Sequence, residues 1–104
     1  MTNEELTKKV KRTYDKRKTE LYKDIHDYNY YELYMRYELC EWLETIVNEY
    51  GDTYVELIEY LKGKNDPLEW LYDVMLNRED SLWDELSDAM DYTMKWEKEH
   101  GYDK

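Results

Sequence analysis

Apolar side chains recur along this chain at steps of three and four residues, and nowhere at the alternate positions of a half-buried strand. Only three glycines and one proline interrupt the pattern. The expected fold is therefore all-α, a compact bundle of about five helices with a long, partly basic N-terminal helix. The first helix is expected from Thr2 or Asn3 as N-cap to about Tyr28, with Leu6, Val10, Tyr14, Leu21, Ile25 and Tyr28 as a narrow stripe. The second, from about Tyr30 to Tyr50, aligns Tyr31, Met35, Leu39, Trp42, Leu43, Ile46 and Tyr50 on one face and reads as the central core helix. Gly51 suits a C′ position with positive φ, and Asp52 the cap of a third helix that ends at Gly63 and buries Val55, Ile58 and Leu61. Asp66-Pro67-Leu68-Glu69 combines a capping acid, proline at the first helical position and an acid three residues after the cap. The helix it opens buries Leu68, Leu71, Tyr72 and Met75 and yields near Asn77 to a last one from Ser81 to His100, stopped by Gly101. Leu82, Leu86, Ala89, Thr93 and Trp96 face inward on that last helix.

Length adds that 104 residues make one domain overall. Charge divides it into a basic N-terminal helix, 1–28, and an acidic helical body, 29–104. Residues 1–24 carry eight bases against five acids, a net +3, whereas the remainder carries seven against 21, a net −14. Charged residues at 39% would suggest disorder if aromatics were scarce, but 16% tyrosine and tryptophan supplies the apolar surface that folding needs. A single cysteine, Cys40, forms no internal disulfide, which points to the cytoplasm. The amino terminus lacks an apolar signal core, and no run approaches the ~20 apolar residues that span a bilayer, so no membrane partner is expected.

Enzymatic chemistry finds no foothold, and neither a catalytic residue nor a cofactor is expected. His26 and His100 belong to no HExxH, CxxC or multi-histidine pattern. Glu97 and His100 form one E-x-x-H pair where a di-iron bundle needs two and further glutamates, so no metal site is assigned. Cys40 has no histidine or lysine at helical spacing to activate it. The segment KKVKRTYDKRK, residues 8–18, has the composition of a phosphate binder, but a duplex reaching it would have to approach the rest of the chain, a body of charge −14. Direct nucleic-acid binding is not expected.

Two surfaces remain. Asp80, Asp84, Asp88 and Asp91 project from the side of the last helix opposite its apolar stripe, with steps of about 4.5–6 Å, within reach of the roughly 7 Å between phosphates. A solvated face would look the same. On the second helix, Tyr30, Tyr34 and Tyr37 run into Glu38, Glu41, Glu44 and Asn48 opposite the core stripe. Tyrosine joins large contact area to a hydroxyl at little entropic cost, as binding faces do. The competing structural reading is that the first helix folds back, buries those rings and neutralises the acids beside them.

Small size, high acidity, helical pattern and exposed aromatics over about residues 29–104 resemble the small acidic phage-encoded inhibitors of host defence, the Ocr-type antirestriction and anti-CRISPR proteins. The resemblance is one of composition, and the cationic first helix departs from it. It implies a DNA mimic acting in the host cell cytoplasm, whose partner is the basic nucleic-acid-binding surface of a nuclease or of a CRISPR or restriction effector. The alternatives are a nuclease-toxin immunity protein or a self-assembling helical adaptor, and the charge split also allows a homodimer.

Overall fold

Thr2 opens the first helix by a reciprocal pair of hydrogen bonds. Its hydroxyl accepts the Glu5 N–H at 3.1 Å, while a Glu5 carboxylate oxygen accepts the Thr2 backbone N–H at 3.4 Å, the capping box of a Thr-x-x-Glu sequence. The computed structural model describes residues 1–21, 27–76 and 86–101, with the side chains of 21 and 27–29 left out. They form five helices: α1 (Asn3–Leu21), α2 (Asp27–Glu49), α3 (Val55–Lys62), α4 (Pro67–Leu76) and α5 (Leu86–Glu99). No strand occurs among the described residues, and the all-α expectation holds. No helix among them is long and apolar enough to cross a membrane.

The basic helix α1 lies against the body, principally along α2. Leu6 and Val10 are fully buried and join one core with Leu39 and Leu43 of α2, Leu57, Ile58 and Leu61 of α3, Leu68 and Leu71 of α4, and Leu86, Met90 and Met94 of α5. Tyr28 belongs to α2, which begins at Asp27 and not Tyr30. Ile25 and Leu82, both expected in the core, lie outside the described residues.

The buried stripe of α2 is rotated from the expected one. Tyr31 is 58% exposed and Tyr50 is exposed too, whereas Leu33, Arg36 and Cys40 are buried. A phenol can leave its hydroxyl in water, so tyrosine marks a face poorly. Arg36, which a hydropathy pattern skips, lies inside the stripe. On α3, Val55 is exposed and Leu57 takes its place, because Tyr54, Leu57, Ile58 and Leu61 share one side and Val55 stands about 100° away from Tyr54. Trp96 of α5 is likewise exposed; Met90 and Met94 fill the core that it was expected to fill.

Two end signals need correction. The third helix has Tyr54 as its N-cap, without a side-chain bond, and not Asp52. Gly51 does not have positive φ, since Gly101 alone among the described residues does (φ 77°). Glycine is needed at 51 for a different reason: a Cβ there would sit 2.8 Å from the Val47 carbonyl oxygen. Two later signals act as expected. Asp66 Oδ1 accepts the Glu69 N–H at 3.1 Å to cap α4, and Gly101 follows α5 in the left-handed conformation that stops it.

Candidate protein-binding face

The outward side of α2 mixes phenol and carboxylate along its length. Tyr30, Tyr34 and Tyr37 are exposed, the latter two at 59% and 46%. Glu41 and Asn48 are exposed as well, and Glu38 and Glu44 are half-buried. One helical turn separates Tyr34 from Glu38 and Tyr37 from Glu41, so each hydroxyl lies beside a carboxylate on the same face. Hydrogen bonding to Glu38 and that group's charge hold the Tyr34 phenol above its ordinary pKa. The charge of Glu41, then its hydrogen bonding, does the same for Tyr37. Both phenols therefore stay protonated donors.

The first helix takes part of this face but does not cover it. Lys11 Nζ meets Glu44 Oε2 at 3.0 Å, and hydrogen bonding to Glu44, with its charge, raises the ammonium pKa. The Tyr14 ring tilts against Tyr37 at 5.9 Å. Glu38 and Glu41 make no ion pair among the described residues. Fold-back thus neutralises Glu44 while the three rings remain in solvent. Other cations of α1 pair away from this face: Lys8 with Glu4, and Arg17 with Glu20, Asp66 and Glu69.

The ridge on the last helix is only half within view. Asp80 and Asp84 lie outside the described residues. Asp88 is exposed, and Asp91 is half-buried with Lys95 Nζ 2.9 Å away. The described part therefore brings one open and one neutralised carboxylate to that side.

Two polar clusters escaped the sequence. Glu69 grips the buried Arg36 with both oxygens, Nε to Oε1 at 2.8 Å and Nη2 to Oε2 at 3.1 Å, and the guanidinium lies 4.0 Å over the Tyr72 ring. Burial alone would lower the Arg36 pKa, but the Glu69 bond and charge outweigh it. The signal in the sequence was a lone arginine among Leu33, Leu39 and Leu43 at helical spacing. The second cluster centres on Glu97, which accepts from the Trp70 indole at 2.6 Å and the Tyr60 hydroxyl at 3.1 Å and has Lys64 Nζ at 3.7 Å. Its carboxylate is thereby occupied. His100 instead stacks on Trp96 at 4.1 Å, so the E-x-x-H pair does not converge, and among the described residues no three His, Cys, Asp or Glu side chains could hold a metal ion together. Cys40 is buried, and that burial pushes its thiol pKa up to about 12, the opposite of what a nucleophile needs.

Compared with known protein families, with curated proteins and with solved structures, the chain matches none.

Proposed function

We propose that this protein is a non-enzymatic inhibitor that sets the outward face of α2 against the basic nucleic-acid-binding surface of a nuclease or of a CRISPR or restriction effector, in the manner of a DNA mimic. The observation that carries the reading is the exposure of Tyr30, Tyr34 and Tyr37 next to Glu38 and Glu41, acids that the chain's own cations leave unpaired among the described residues. A DNA-binding protein offers lysine and arginine already held in place, and carboxylates on a stiff helix can meet them with charge-assisted hydrogen bonds. The tyrosines supply flat contact area where bases would lie. A net charge of −11 steers the approach to a cationic target. The cationic side of α1, where Arg12 and Lys16 are exposed without ion pairs among the described residues, turns such a target away and confines the footprint to α2. Assembly through α1 has less support, because Leu6 and Val10 are already spent in this chain's own core.

The test is duplex cleavage by purified restriction and CRISPR effector nucleases with the protein added at two salt concentrations. A mimic inhibits at least one of them, yields to excess duplex, and weakens as salt rises, since exposed charges beyond about 8 Å are screened at physiological ionic strength. Inhibition indifferent to duplex concentration, or none at all, contradicts the reading.

A further inference from the structure

We infer that the outward face of α2 selects arginine: Tyr34 with Glu38, and Tyr37 with Glu41, form two adjacent seats for the guanidinium groups of a partner protein. This rests on the proposed function and names the side chain that its binding face recognises.

The template lies inside the molecule. Among the described residues two charged side chains are buried, Arg36 and Lys64, and each meets both a carboxylate and a tyrosine ring. Glu69 binds the Arg36 guanidinium through two bonds while Tyr72, three residues further along α4, lies under it at 4.0 Å. Lys64 sits 4.5 Å over the Tyr60 ring with its ammonium 3.7 Å from Glu97. The outward side of α2 repeats those components at one-turn spacing, but without the cation. Its carboxylates Glu38 and Glu41 have no ion pair among the described residues; Lys11, which reaches this flank from α1, pairs with Glu44 and acts on Glu41 through its charge alone.

A guanidinium fits such a seat better than an ammonium does. It is planar, it can bond both oxygens of one carboxylate, and it stacks on an aromatic face with its edge still free to donate. Lysine offers a single, strongly hydrated point charge. The two seats are offset by three residues, about 4.5 Å along the helix axis. The partner is therefore expected to present two arginines roughly 5–6 Å apart, as neighbours at three- or four-residue spacing on a helix do.

Octapeptides of arginine and of lysine carry equal charge, and titrating each into the full chain by calorimetry separates selection from simple attraction. The arginine peptide should bind at least about fivefold more tightly. Tyr34→Ala with Tyr37→Ala should bring the two peptides within about twofold of each other, whereas Tyr34→Phe with Tyr37→Phe keeps the rings and the preference. Glu56→Gln with Glu99→Gln, which removes two negative charges on α3 and α5, away from the seats, should also keep it. Equal binding of the two peptides to the native chain overturns the inference, as does a preference that survives loss of both rings with the helical circular dichroism unchanged. If the chain stops no nuclease yet prefers arginine, the seats stand and the proposed function falls. If it inhibits while the peptides bind alike, the function stands and the seats fall.

Discussion

Arg36 and Glu69, thirty-three residues apart in sequence, clasp each other at 2.8 and 3.1 Å between α2 and α4. Arg17 of α1 adds its Nε 3.4 Å from the same Glu69 oxygen, so one carboxylate ties three helices together. Removing one member of a buried pair leaves its partner's charge uncompensated, whereas replacing both with apolar groups can be close to neutral. Arg36→Ala should therefore cost about 2–4 kcal/mol, below the upper range for such pairs because Arg17 still faces Glu69. Arg36→Met with Glu69→Leu should cost less than Arg36→Ala alone. Urea denaturation of the three proteins checks the order; equal losses in both variants would show that the pair adds no more than its bulk.

The thiol of Cys40 gives the fold a limit on the alkaline side. Its folded pKa of about 12 lies above the ordinary 9.0, chiefly because the thiolate would be buried. A raised folded value means that the stabilisation is complete below pH 9 and is lost as pH climbs from about 9 towards 12, because the unfolded chain ionises first. Within that window the Cys40 contribution should fall by about 1.4 kcal/mol per pH unit. Cys40→Ala, compared with the native chain across pH 7 to 11, should show a shallower decline, since only this group has been removed. Parallel curves would refute the assignment. At pH 8 the native thiol should react with a small disulfide reagent only as the chain unfolds.

Glu97 and His100 share an E-x-x-H spacing and should nevertheless behave as strangers. Glu97→Ala removes the carboxylate that the Trp70 indole, the Tyr60 hydroxyl and the Lys64 ammonium all meet, at an expected cost of about 2–3 kcal/mol. His100 is exposed at the end of α5, so His100→Ala should stay within about 0.5 kcal/mol of the native chain. Thermal melts with and without zinc measure both. A stabilisation by zinc that disappears in either variant would restore the pair as a ligand set.

What was legible in the sequence was local. The Asp66 cap, the stop at Gly101 and the buried Leu68, Leu71 and Tyr72 depend on residues within a turn or two of one another, and short-range pattern carries that information. The face of α2 was misplaced because tyrosine counts as apolar in a pattern while its hydroxyl is content in water, as Tyr31 and Tyr50 are. Arg36 could be placed only with knowledge of Glu69, and Glu97 only with knowledge of Trp70 and Tyr60. Such partners are set by helix packing, which no local window contains. At the candidate site, the alignment of Tyr34, Tyr37, Glu38 and Glu41 was legible from the helical period. Lys11 of α1 claiming Glu44 was not, because it required α1 to dock along α2.

The central claim is that the outward face of α2 binds a cationic protein surface. Charge reversal at Glu38 and Glu41 to lysine, set beside the same reversal at Glu56 and Glu99, tests it at equal net charge, with inhibition of duplex cleavage by a sensitive nuclease as the readout. The account predicts at least about a hundredfold loss of inhibition for the α2 pair, as expected when two close charge contacts turn repulsive, and only a small change for the other pair. Equal losses in the two variants, with helical content intact in both, would reduce the face to bulk acidity and contradict the account.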